Sequence, residues 1–136
     1  MKKNINFFIF IYLAILFLFS VFFLYQKHNV LNDSTISEWL INYEGGFTKR
    51  GLIGQLSIYC SNIFAITLRD TIFLFQTLLV GTYFFLIYLF LKNIFYNKIF
   101  IFAIFTPIFL LYPIAEIEVL ARKEIFIFIY FLIYTF

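Results

Sequence analysis

Four stretches of this chain, Ile5–Tyr25, Thr71–Leu91, Ile99–Ala115 and Ile125–Phe136, carry no charged residue and are almost wholly apolar. The hydrocarbon core of a bilayer is ~30 Å thick and an α-helix rises ~1.5 Å per residue, so ~20 apolar residues cross it. The first two stretches meet that length and the third nearly does. The last holds 12 residues, about 18 Å of helix, which is too short to cross on its own. The expected fold is all-α: a single membrane domain over residues 1–136, with about four transmembrane helices and one or two short juxtamembrane helices. The polar loop 26–70 is its largest segment outside the spans.

Composition excludes the soluble alternative. Hydrophobic residues make up 64% and charged residues 12%, against a usual ~45–50% and ~25%. A soluble domain of this size leaves much of its surface wet and has no core large enough for 23 Phe and 10 Tyr. The excess of Phe, Ile, Tyr, Lys and Asn matches A/T-rich coding, which points to a bacterial source. The net charge of +3 comes from scattered residues, so there is no nucleic-acid footprint. Cys60 is the single cysteine, which excludes an intrachain disulfide and a cysteine metal site. Met1-Lys2-Lys3-Asn4 resembles the start of a signal peptide, but the apolar run after it is 21 residues long, against ~7–15 for a signal. It ends in bulky Val21–Tyr25 rather than a small-residue cleavage site. A retained anchor is expected.

In the loop, Asp33-Ser34-Thr35 reads as a helix start, and Thr35 with Glu38 has capping-box spacing. Ile36, Trp39, Leu40 and Tyr43 fall on one face of the short helix that follows, which is expected to lie along the membrane surface and to end at Gly45-Gly46. Gly51–Leu68 carries no charge and could just span. Yet Gly51, Gly54, Gln55, Ser61 and Asn62 trace a small, polar stripe that packs on protein or faces water. The preferred reading is a juxtamembrane or re-entrant helix over about Leu52–Phe64, with Asp70 capping the next span. Pro107 kinks the third stretch and Pro113 marks its end.

Basic residues do not fix the orientation. Four spans with a cytoplasmic N-terminus put Lys2, Lys3, Lys92 and Lys98 inside, and Lys27, Lys49, Arg50, Arg69, Arg122 and Lys123 outside, against the positive-inside tendency. The inside N-terminus is kept because the first helix usually dominates. In that layout the polar loop and the island Glu116–Glu124 converge on one membrane surface.

The densest site for chemistry is Tyr43–Gly54. Gly45, Gly46, Gly51 and Gly54 let backbone approach a ligand. Glu44 can take up a proton or hold a divalent metal, although no metal-ligand cluster supports a metal and no cofactor is expected. Lys49 and Arg50 can neutralise a phosphate, Arg in bidentate fashion. The alternative is a plain interfacial loop with snorkelling basic residues. In the second island, Glu118 and Arg122 form a favourable i, i+4 pair, which an exposed helix end also explains. Charged groups at a membrane edge are nonetheless a functional hypothesis. His28 reads as an interfacial loop residue and Cys60 as a helix-packing residue. No P-loop, HExxH, CxxC or GxSxG is present.

The run Tyr43-Glu44-Gly45-Gly46-Phe47-Thr48-Lys49-Arg50-Gly51-Leu52-Ile53-Gly54, with Arg122-Lys123-Glu124 later, resembles bacterial multi-spanning proteins of surface-polysaccharide clusters. Those are similar to O-antigen polymerases and type C glycosyltransferases. The resemblance implies action on polyprenyl-phosphate-linked sugars at the bacterial inner membrane, by a multi-pass protein packed against other membrane helices and lipid. It implies that an acidic residue of the first extracytoplasmic loop is catalytic, here Glu44, with Glu38 as second choice. It makes Lys49, Arg50, Arg122 and Lys123 candidates for the lipid phosphate. The likeness covers about Trp39–Gly54 and Arg122–Glu124. The chain lacks an Asp-x-Asp and has fewer spans than these families, so an N-terminal portion of such a protein is expected. The other function class is a non-catalytic transport or scaffold subunit that packs through the small stripe.

Overall fold

The computed structural model describes residues 2–30, 33–49, 51–93, 111, 114 and 118–135. Among them there are five helices and no strand: α1 Lys2–Asn29, α2 Ser34–Leu40, α3 Gly51–Phe64, α4 Leu68–Asn93 and α5 Ile125–Tyr134. Two are long and apolar enough to cross a membrane, over Ile5–Asn29 and Leu68–Lys92. This is fewer than the four spans expected. Ile99–Ala115, with Pro107 and Pro113, lies outside the described residues apart from Leu111 and Ile114. The last apolar stretch yields a ten-residue helix, too short to cross.

Helices α1 and α4 form the antiparallel backbone of the fold. Phe10 meets Tyr88, Phe17 meets Phe84 and Tyr25 meets Phe73, each edge to face, with ring centroids 5.6, 6.0 and 6.4 Å apart. As one number rises the other falls, which fixes the direction. Such aromatic pairs add ~0.5–1.5 kcal/mol each beyond area burial. They gain weight between helices in lipid, where the hydrophobic effect does not drive association. Gly81 leaves room at the crossing, since a methyl there would sit 3.4 Å from the Phe17 ring. The outer faces stay apolar: Phe8 and Leu18 on α1 are 68% and 67% exposed, and Leu78 on α4 is 64% exposed. Helix α5 packs on α4 in the parallel sense, with Gln76 near Ala121 and Tyr83 near Phe128.

The segment between the long helices folds as a hairpin of two short ones. Helix α2 runs down the side of α4: Thr35 at its start bonds Lys27, and Trp39 at its end shares a partner with Gln76. Helix α3 returns, with Ile53 packed in the cluster of Trp39 and Ile72 and the turn after Phe64 leading into Leu68. The helix expected over about Leu52–Phe64 is present as Gly51–Phe64.

Several local expectations change. Asp33 is the N-cap of α2, its carboxylate accepting from Thr35 N and Ile36 N at 2.8 and 3.2 Å. That occupies Thr35 N, which Glu38 would bond in a capping box, and Glu38 turns to Arg122 instead. Helix α2 stops at Leu40, well before the glycines. Trp39 is fully buried within the protein. Thr67, not Asp70, begins α4: its hydroxyl accepts from Asp70 N at 3.1 Å and donates to the Asp70 carboxylate. The lining of α3 is Gly51, Gly54 and Ser57, because Ser61 donates to Ile66 O at 2.7 Å to close the helix and Asn62 is exposed.

A side chain at Gly54 would run into the Ile41 carbonyl and lie 2.9 Å from the Trp39 carbonyl. Both are main chain and cannot swing aside. Gly54→Ala is therefore expected to destabilise the detergent-solubilised protein by about 1–3 kcal/mol, read as a lower melting temperature. Gly81→Ala should leave it nearly unchanged.

Candidate functional site

One end of the bundle gathers the polar side chains. Lys27, in the last turn of α1, donates to the Thr35 hydroxyl at 2.8 Å and lies 4.0 Å from the Asp33 carboxylate. Nearby, His28 Nε2 sits 3.1 Å from Asp70 Oδ1, and the Arg69 guanidinium donates to the carbonyls of Lys27 and Val30. These contacts place a helical His28, rather than a loop residue, at the join of α1 and α4. Arg69 meets carbonyls left over at the end of α1, as a cation at a helix C-terminus should.

The centre of the site joins the two polar islands. Arg122 grips Glu38 with two bonds, Nη2 to Oε1 at 2.7 Å and Nε to Oε2 at 3.3 Å, across 84 residues of sequence. Glu38 keeps the Arg122 guanidinium charged to still higher pH than usual, first by the hydrogen bond and then by its charge. The Glu118–Arg122 helical pair read from spacing is replaced by this contact. Residues 118–121 form a turn, not a helix, so i, i+4 neighbours do not stack there. Glu38 is half-buried, as is Arg122.

Next to the ion pair, the Ala121 carbonyl accepts from Trp39 Nε1 at 3.0 Å and lies 3.5 Å from Gln76 Nε2. Ala121 has φ +55°, a left-handed conformation that places a Cβ close to the following carbonyl. The turn holds it because the carbonyl then points at two buried donors. Lys123 follows and is buried, with Glu124 half-buried.

Glu44, Gly45, Gly46 and Lys49 occupy a different place. They lie in an exposed turn after α2, whose shape comes from Asn42: its side-chain oxygen accepts from Glu44 N at 2.9 Å, and its carbonyl accepts from the Thr48 hydroxyl at 2.9 Å. Tyr43 N donates to Gln55 at 3.3 Å, and Tyr43 stacks on Phe47 with centroids 5.8 Å apart. Gly46 has φ +113°, which a side chain would resist. No other group lies within 4 Å of a Cβ built at Gly45 or Gly46, so backbone there is open to a ligand. Among the described residues the side chains of Glu44 and Lys49 have no polar partner. Arg50 and Glu116 lie outside the described residues. Of the expected site residues, the fold thus brings Glu38, Arg122 and Lys123 to one cluster and leaves Glu44 and Lys49 on an open turn. Gln76 and Lys27 join the cluster without a signal in spacing, Lys27 being legible only as a charge at the end of an apolar run, and Trp39 joins it from the apolar face of α2. Among the described residues no three His, Cys, Asp or Glu side chains converge as metal ligands.

Beside the cluster lies an apolar groove of about 580 Å³ walled by Trp39, Leu52, Ile53, Leu56, Phe75, Leu78, Leu79 and Phe126. A second hollow of about 260 Å³ shares Leu52, Ile53 and Phe126 with it and adds Lys123, Glu124 and Ile127. The two together run from a charged end to an uncharged one. No family model, curated protein or solved structure matches this chain.

The strain at Ala121 gives a test. Ala121→Gly removes the left-handed penalty of about 1 kcal/mol and should raise the melting temperature, whereas Ala121→Val should lower it. The ion pair gives another. Glu38→Gln and Arg122→Gln should each destabilise the protein, and the double variant should lose less than the two losses added. Additive losses would mean that the two groups do not interact.

Proposed function

We propose that this chain is a multi-pass protein of the bacterial inner membrane that takes part in surface-glycan assembly on polyprenyl-phosphate-linked sugars. The observation that carries the reading is the Glu38–Arg122 pair, which ties the two charged islands together at one end of an apolar bundle. Both groups are half-buried, and a charged pair at a membrane edge is by default a hypothesis of function. Long apolar helices with bare outer faces support the membrane part, because soluble proteins rarely expose such continuous apolar surface.

The carboxylates divide the work. Glu44, on an exposed turn with open glycine backbone beside it, is placed to take the proton of an attacking sugar hydroxyl. Glu38 is held by Arg122 and so serves to position that guanidinium. Lys49 and Arg50, on the same loop as Glu44, supply positive charge for the phosphate that leaves with the lipid carrier. The scaffold alternative rested on a small stripe free to receive another helix. Of that stripe, Gly51 and Gly54 are buried within this chain, while Ser61 is half-buried and Asn62 exposed.

The test is a deletion strain complemented with point variants. Glu44→Gln and Arg50→Ala are each expected to abolish surface polysaccharide while the protein stays at wild-type level in the membrane fraction. Normal polysaccharide with both variants would refute the reading.

A further inference from the structure

Helix α4 has charged residues at both ends. Arg69 and Asp70 stand at its start, against the last turn of α1 with Lys27 and His28. Lys92 lies in its last turn, at the end where α1 begins. From Asp70 to Lys92 the helix rises about 33 Å at ~1.5 Å per residue, which matches a hydrocarbon core of ~30 Å between two polar belts. The α2–α3 segment starts and finishes at the Asp70 belt: Thr35 bonds Lys27, and α3 hands over to Leu68 after a short turn. Between those points it descends along α4. Trp39 shares the Ala121 carbonyl with Gln76, about 9 Å beneath Asp70 along the axis. Gly54 of α3 faces the carbonyls of Trp39 and Ile41 and so stands level with them. Leu52 borders the same groove as Leu78 and Leu79, about 13 Å beneath the belt. Residues 42–49 join the two helices at that depth.

We infer that α2 and α3 form a re-entrant hairpin whose charged turn lines a water-filled cleft, open on the face where α1 ends. A hairpin resting on the membrane surface would leave α4 only Leu79–Leu91 to cross with, about 20 Å of helix, too short for the hydrocarbon core. The exposed row Leu52, Leu56, Tyr59 and Ile63 of the uncharged helix α3 suits lipid. The turn does not. Glu44, Thr48 and Lys49 are exposed there on irregular backbone, and such backbone occurs at membrane depth only where protein covers it or water reaches it. The α2 side supplies the route for water. Ser34 and Ser37 are exposed and Glu38 is half-buried, so polar groups lead from the Lys27–Asp33 cluster to Glu44, interrupted at Leu40 and Ile41. The polar edge of the membrane is thereby drawn inward past the Glu38–Arg122 pair. A covering protein is the competing arrangement, and it would have to supply partners for the charges of Glu44 and Lys49. The inference rests on the membrane part of the function proposed above and is independent of its glycan chemistry.

Thiol labelling of the full chain in sealed membranes tests the cleft. Cys60, the single cysteine, is replaced by serine, and cysteines are introduced one at a time. Asn29→Cys marks the end of α1, Phe64→Cys the end of α3, Lys92→Cys the far end of α4 and Leu56→Cys the apolar row. Gly45→Cys marks the turn, where a Cβ meets nothing within 4 Å, and Lys49→Cys replaces it should that variant fail to insert. The probes are a small membrane-impermeant methanethiosulfonate and a maleimide on a bulky polyethylene glycol chain. The small probe is expected to modify Asn29→Cys, Gly45→Cys and Phe64→Cys from one side, and Lys92→Cys from the other side alone. The bulky probe should modify Asn29→Cys but not Gly45→Cys. Leu56→Cys should react only after denaturation in dodecyl sulfate, because a thiol in apolar surroundings stays protonated. A Gly45→Cys thiol that the small probe misses until denaturation is covered, and the cleft is overturned. Bulky-probe labelling of Gly45→Cys together with small-probe labelling of Leu56→Cys places the hairpin outside the bilayer and overturns it too. So does labelling of Asn29→Cys and Phe64→Cys from opposite sides, which makes α3 a span. Each of these results leaves the membrane reading standing, whereas a chain washed off the membranes by carbonate overturns both.

Discussion

The carbonyl of Ala121 lies among apolar side chains and needs a donor. An unpaired main-chain carbonyl in such surroundings costs several kcal/mol. The Trp39 indole N–H supplies the bond, and almost everything distinctive about the fold follows from it. To bring Trp39 there, α2 must lie against α4. To leave space for α2, α3 must come close, which requires glycine at position 54 against the carbonyls of Ile41 and Trp39. With α2 docked, Glu38 is one residue away and within reach of Arg122.

The same constraint explains a left-handed alanine. Turning residue 121 into that region aims its carbonyl at Trp39 and Gln76, and sends Arg122 back toward Glu38. The local penalty is offset by one indole hydrogen bond and one two-pronged ion pair. Neither long helix does this by itself. Helices α1 and α4 supply an antiparallel wall joined by aromatic rings, and the polar segments assemble against one end of that wall.

The sequence carried the long elements plainly. Charge-free runs of about 20 residues mark α1 and α4, since nothing but a helix satisfies its backbone over that length in lipid. The place of α3 was legible from the small, polar stripe of Gly51, Gly54, Gln55, Ser61 and Asn62, although the uncharged run to Leu68 could also be read as a span. Caps were legible in type but not in position. Asp33 takes the first free N–H groups of α2, those of Thr35 and Ile36, and Thr67 takes that of Asp70 at the start of α4. The two islands were expected on one side under a four-span layout, of which two spans are present among the described residues, and the partners within them were not legible. Glu118 lies at helical spacing from Arg122 and Glu38 lies 84 residues away, and a turn at 118–121 decides for the distant one. Trp39 read as an interfacial anchor because amphipathic spacing gives a face and not what covers it.

Crosslinking measures the meeting of the two islands directly. With Cys60→Ser as background, Glu38→Cys and Arg122→Cys are introduced together and the protein is treated, in native membranes, with a short bifunctional thiol reagent. An intramolecular crosslink that forms rapidly, and is absent from each single-cysteine variant, is the predicted result. If both cysteines accept a monofunctional maleimide yet never join, the islands do not meet and the site described above does not exist.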